Sequence, residues 1–184
     1  MSEIRPWVRK QTRQLADCRV FTVSESISLC PRTENEHSFY FIDTADWVNI
    51  VPITTNEEVV FIRQFRHGTE EITLEIPGGM VDPGEDPGAA AVRECMEESG
   101  FRAGSVESLG VLSPNPAIFP NKLHTYLATG CERAGDITNT STEHTEVELV
   151  PLSDLPTLLQ KGVIDHALVV ATLWRMLYLR QEDR

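Results

Sequence analysis

The chain has 184 residues, 41% of them hydrophobic, and a formal net charge of −12. That length suits one domain with a real core and a small appendage. The charge argues against nucleic acid or an anionic membrane as the main partner. No apolar run reaches the roughly 18 residues of a membrane span. The opening Met-Ser-Glu-Ile-Arg-Pro-Trp holds no signal-peptide apolar region. Cys18, Cys30, Cys95 and Cys131 are scattered, without a Cys-x-x-Cys pair or zinc-ligand spacing. A reducing cytoplasm is the expected compartment.

Residues 1–16 are polar and charged and read as an arm or a helix. Residues 18–32, 38–44 and 47–53 read as strands, and Asn56-Glu57 as a turn. Residues 59–65 form a buried strand closing in Arg63-Gln64-Phe65-Arg66, and 72–76 a short strand running into Pro77-Gly78-Gly79. Asp82-Pro83-Gly84 has Pro and Gly at the second and third positions of a tight turn. Asp86 is a good N-cap, Pro87 fits the first helical position and Gly100 is a natural stop, so a short helix lies between them. Strands at 107–112 and 122–128 flank a Pro-rich loop. A polar loop at 134–145 leads into a strand at 147–152, and a short helix ends at Gly162. Asp165 is placed to cap a long apolar helix at 166–180, with Trp174 and Met176 expected in the core. Strands, one helix, more strands and then C-terminal helices predict an α+β class with a mixed sheet.

The short helix carries the chemistry. Glu94, Glu97 and Glu98 fall at i, i+3 and i+4 and share one helical face. Like charges at that spacing cost roughly 0.2–0.5 kcal/mol per pair. Three crowded carboxylates with Arg93 beside them make sense if a divalent cation neutralises them; a solvated surface helix is the bland alternative.

The full spacing decides between the two. Gly79, five residues, Glu85, seven residues, Arg93-Glu94, then Glu97-Glu98 and Gly100 resembles the signature of the Nudix hydrolases, Gly-x5-Glu-x7-Arg-Glu-U-x-Glu-Glu-x-Gly-U, where U is apolar. Every fixed position matches. Cys95 stands where Leu, Ile or Val is usual, and behaves there as a small hydrophobe.

This resemblance implies a Nudix α/β/α sandwich over residues 46–184, preceded at 1–45 by an arm and a small β-subdomain of the kind dimeric members use to pair. It implies metal ligands at Glu94, Glu97, Glu98 and the carbonyl of Gly78, with Glu85 and Arg93 as a structural pair. Mg²⁺ is the expected ion and Mn²⁺ the other candidate, since both favour oxygen ligands. The resemblance places the general base in the late loop, at Glu146 first and Glu143 second, with the box carboxylate Glu97 as the fallback. The Gln-Phe-Arg and Leu-Glu-Ile-Pro-Gly-Gly runs are similar to the ADP-ribose and nucleoside-diphosphate-sugar pyrophosphatases. That branch implies substrate contacts from Arg63, Arg66 and Glu75, and Pro116 stands at its marker position. Trp47 is a candidate for stacking on a nucleobase, against a plain core role.

The expected activity is metal-dependent hydrolysis of the diphosphate bond of a nucleoside diphosphate sugar by a homodimer. The alternatives are a hydrolase of coenzyme A, dinucleoside polyphosphates or nucleoside triphosphates, and a non-catalytic nucleotide sensor. A P-loop nucleotidase is excluded because no Gly-Lys-Ser/Thr follows the glycines.

Overall fold

The computed structural model describes residues 4–182. Two compact units are present, and the chain passes from the first to the second between Ala45 and Asp46. The first unit also takes in Ser113–Lys122, so Pro116 packs with the N-terminal strands.

The first unit is a three-stranded antiparallel sheet of β1 (Val8–Asp17), β2 (Phe21–Leu29) and β3 (Glu36–Thr44), in that order. The polar opening segment is therefore a strand over Val8–Asp17, not an arm or a helix. Every residue of β1 is exposed, so no apolar alternation marks it. It is held by its ladder to β2 and by cross-strand pairs such as Arg13–Glu25 at 2.7 Å. The Pro-rich loop joins this unit where the Ile42 N–H donates to the Ile118 carbonyl (2.8 Å).

The second unit is built on an eight-stranded mixed sheet. Its strands are β4 (Trp47–Thr54), β5 (Glu58–Arg66), β6 (Glu71–Glu75), β7 (Gly78–Met80), β8 (Phe101–Arg102), β9 (Ser105–Leu112), β10 (Leu123–Arg133) and β11 (Thr145–Pro151). The main path runs β11-β5-β4-β10-β8, with β6 on β5, β7 on β4 and β9 on β10. The β4–β10 pair is parallel and the others are antiparallel.

Helix α1 (Pro87–Ser99) covers one face, and α2 (Leu155–Gln160) with α3 (Ala167–Glu182) the other. Strand alternation feeds both cores. Val48, Ile50 and Val60 pack with Ala90, Ala91 and Cys95 of α1. Val51, Ile53, Val59 and Phe61 pack with Leu155, Val169, Leu173 and Met176. This is an α+β fold of α/β/α type.

Two expectations for α3 change. Met176 is fully buried, but Trp174 is 48% exposed. The buried stripe is Val169, Thr172, Leu173 and Met176, and Trp174 lies about 100° around the helix from Leu173. The first turn closes on the His166 carbonyl, which accepts from the Val170 N–H (2.9 Å), so the helix starts one residue later than Asp165 predicts. Among the described residues no helix is long and apolar enough to cross a membrane.

Candidate active site

The site begins at a turn. The Glu85 N–H donates to the Asp82 carbonyl (2.9 Å) while Gly84 takes φ +82°, a conformation suited to glycine. Asp86 then caps α1, its carboxylate accepting from the N–H groups of Gly88 and Ala89, with Pro87 at the helix start. The helix stops at Gly100, φ +71°.

Arg93 joins turn and helix. All five of its N–H donors are used: two on Glu85 (3.0 Å each), one each on Glu94 (2.8 Å) and Glu97 (3.1 Å), and one on the Met80 carbonyl (3.2 Å). Its bonds with Glu85 foremost hold the guanidinium more firmly protonated than usual.

The two glycines of β7 let that strand lie against α1. A Cβ on Gly79 would strike the Glu94 carboxylate, and one on Gly78 would strike the Val48 carbonyl and the Asn49 side chain. The Gly78 N–H donates to Glu98 Oε2 (2.9 Å). Glu94 and Glu98 are thereby drawn against backbone and away from water. Burial pushes the Glu98 carboxyl up to about 8; the Gly78 bond opposes this, and the charges of Glu94 and Glu143 add to it. Burial raises Glu94 as well, against the pull of Arg93.

Glu97 differs from its neighbours. Its side chain is 45% exposed, where that of Glu94 is 14% exposed, although both bond Arg93. Among the described residues no group of three acidic, histidine or cysteine side chains forms a finished metal cage. Two carboxylates drawn out of water by burial do fit a divalent ion that completes its shell from phosphate oxygens and water.

The opposite wall is built on Glu75, of which 2% is exposed. Arg66 grips it in a fork, Nε to Oε1 and Nη2 to Oε2, both 2.7 Å. Thr73 donates to the same carboxylate at 2.6 Å, and His166 Nε2 stands 3.9 Å away. Burial alone would raise the Glu75 carboxyl, but the Arg66 bonds and charge hold it below the usual range. Glu75 is therefore committed to Arg66, and Arg66, 41% exposed, is the member of the pair open to solvent. Arg66 also feels the charges of Glu98 and Glu143.

The face of each strand sorts the remaining candidates. Thr145 is buried and its hydroxyl donates to the Glu98 carbonyl (2.7 Å), so Thr145 and Val147 face α1. Glu146 and Glu148 then point to the other face. Arg63, paired in register with Glu146, bonds Glu148 there at 2.7 Å. The structure thus does not bring Glu146 or Arg63 to the box carboxylates. Glu143, in the loop before β11, does share their field, acting on Glu94, Glu98 and Arg66. Trp47 opens β4, paired with Met80 of β7 and Leu123 of β10, half-buried beside the box.

Sequence reading missed Thr73 and Thr145. Thr73 was accessible, since it lies two residues before Glu75 and so on the same strand face. Thr145 left no signal, because its partner is a main-chain carbonyl 47 residues away.

Residues 43–173 match the NUDIX domain. The chain belongs to the Nudix domain family. One relative of this Nudix hydrolase, 31% identical over 157 residues, is the CMP-5'-(N-acetyl-N-hydroxy-3-aminopropyl)phosphonate hydrolase of Streptomyces rubellomurinus; the match covers 85% of the chain and 75% of the relative. Another is the ADP-sugar pyrophosphatase of Mus musculus, 30% identical over 141 residues, with 71% and 65% covered. In structure the Nudix chain is similar to a crystallised ADP compounds hydrolase, with a TM-score of 0.88, 25% identity, and 100% of this chain and 98% of the other covered. These likenesses place it among the Nudix pyrophosphatases of the ADP-ribose branch.

Proposed function

We propose that this Nudix pyrophosphatase hydrolyses the diphosphate bond of a nucleoside diphosphate sugar, ADP-ribose or similar, to a nucleoside monophosphate and a sugar phosphate. The observation that carries this reading is the pair Glu94 and Glu98, withdrawn from water against Gly78–Gly79, with Arg66 and Glu143 in the same field.

In this reading Glu94 and Glu98, with the carbonyl of Gly78, hold Mg²⁺ or Mn²⁺. When bound, such an ion neutralises the carboxylates and polarises phosphoryl oxygens. Arg66 binds a phosphate through the part of its guanidinium left open by Glu75. Glu75 is a positioning residue, and Thr73 steadies it. Glu143 takes the proton of the attacking water, since its charge acts on Glu94, Glu98 and Arg66 and its carboxylate is steadied by the Thr140 hydroxyl. Glu97 balances Arg93 in the ion-free arrangement and becomes a ligand if Arg93 releases it. Trp47 supplies an aromatic surface beside the box for the nucleobase.

The N-terminal unit supports a homodimer. Its strands expose Val8, Leu15, Phe39 and Tyr40, with Trp7 just before β1, and so small a sheet gains stability when exposed apolar side chains are covered. Pro116 acts from this unit, as part of the pairing surface. Four free cysteines fit a reducing cytoplasm.

The test is a panel of nucleoside diphosphate sugars with Mg²⁺, following nucleoside monophosphate release. CMP derivatives belong in it because of the Streptomyces relative. Turnover confined to coenzyme A or triphosphates would overturn the substrate class, and tight binding without turnover would point to a sensor.

A further inference from the structure

We infer that Thr145 and Asn139 are positioning residues, a lock that fastens the Glu143 loop to the C-terminal end of α1 and so sets the reach from Glu143 to Glu94 and Glu98. The inference rests on the reading of Glu143 as the base.

A helix end leaves its last carbonyls without partners inside the helix. In α1 the Met96 carbonyl takes the Gly100 N–H (2.9 Å). The next two carbonyls go to one loop. Glu97 accepts from the Thr138 N–H (2.8 Å) and Glu98 from the Thr145 hydroxyl (2.7 Å). The start and the finish of that loop are therefore pinned to the residues that carry the box carboxylates. Asn139 joins the two ends. Its Oδ1 accepts from the Thr145 N–H (3.0 Å) and lies 3.1 Å from the Thr145 hydroxyl oxygen.

Between Asn139 and Thr145 lie only the five residues 140–144. Within that arc Thr140 turns back on Glu143, its hydroxyl donating to the carboxylate at 3.0 Å. The ladder to β5 begins at Thr145, so no strand pairing holds the arc beyond the lock. Thr145 is 2% exposed. Its bonds are made away from water, where an unmade bond is expensive. The arc itself is exposed. Thr145 is thus the buried anchor of an otherwise exposed loop. A base displaced by about 1 Å can lose up to about a hundredfold in rate.

Three variants test this. Thr145→Val keeps the shape and removes the hydroxyl; Thr145→Ser keeps the hydroxyl; Asn139→Ala cuts the join at an exposed position. Thr145→Val is expected to lower kcat about 10- to 100-fold, and Asn139→Ala about tenfold, with KM and Mg²⁺ half-saturation changed less than about twofold. Thr145→Ser restores kcat to within about threefold of the parent, and Thr145→Val adds nothing to Glu143→Gln in the double variant. In metal-free protein, amide exchange over 139–145 quickens in Thr145→Val and Asn139→Ala. A slow Glu143→Gln beside fully active Thr145→Val and Asn139→Ala overturns the lock alone. So does an additive double variant, or a shift in Mg²⁺ half-saturation, which would mean that Thr145 acts through Glu98. Glu143→Gln at parental speed overturns the base assignment, and the lock with it.

Discussion

Glu98 is the residue with the most bearing on the site, because both its ends are engaged. Its carboxylate accepts from Gly78 and its carbonyl from Thr145. Glu98→Gln keeps the shape and removes the charge a cation needs. It should lower the rate on the order of 10³-fold with an unchanged circular dichroism spectrum, as expected for loss of a metal ligand. Activity within threefold of the parent would remove Glu98 from the metal site. The two late-loop glutamates separate in the same way. Glu143→Gln should lower kcat by roughly 10²–10⁴-fold and leave KM nearly unchanged. Glu146→Gln should be close to silent, because its strand position faces away from α1. Measuring kcat for both at saturating Mg²⁺ and substrate checks this, and the reverse pattern would return the base to Glu146.

At the scale of elements, the contact between β7 and α1 decides the site. Gly79 has no room for a side chain because the Glu94 carboxylate occupies that space. Gly79→Ala must push Glu94 or the strand aside. Overpacking of this kind costs about 1–3 kcal/mol. A lower melting temperature together with weaker Mg²⁺ activation is expected, read by thermal unfolding and metal titration. A stable variant with parental Mg²⁺ dependence would show that β7 has slack. The box turn and both caps of α1 were legible in the sequence because each is made by residues only a few positions apart. The sorting of Arg63 from Arg66, and of Glu146 from Glu143, was not. It depends on which face of β5 and β11 meets α1, and a shift of one residue exchanges every side chain between faces.

For the molecule as a whole, burial of Glu98 links stability to pH. Its carboxyl is raised from 4.5 to about 8 in the fold. The folded metal-free protein therefore stays protonated there while the unfolded chain has already ionised. That stability is complete below about pH 4.5 and is lost as pH rises toward about 8. Metal-free protein should melt at falling temperature across that window, and Glu94, raised for the same cause, adds in the same sense. Mg²⁺ binds the ionised form, so its stabilising effect should grow with pH. Glu98→Gln should flatten the decline. A melting temperature rising through the window would contradict the buried-carboxylate picture. The proposed dimer is checked by light scattering at micromolar protein, where a fully active monomer would overturn it.

The sequence by itself determined the family and the box helix with its caps and its run of carboxylates. Those features are written in residues close along the chain, where helical and turn geometry leave little choice. Tertiary structure alone decided that Val8–Asp17 is a strand, because its ladder to β2 leaves no apolar pattern. It alone committed Glu75 to Arg66, turned Trp174 outward, and packed Pro116 with the N-terminal strands. It also placed a buried hydroxyl of β11 on the last turn of α1. Each of these depends on which distant surfaces meet, and pairing between separate elements is not encoded in the local pattern of either one.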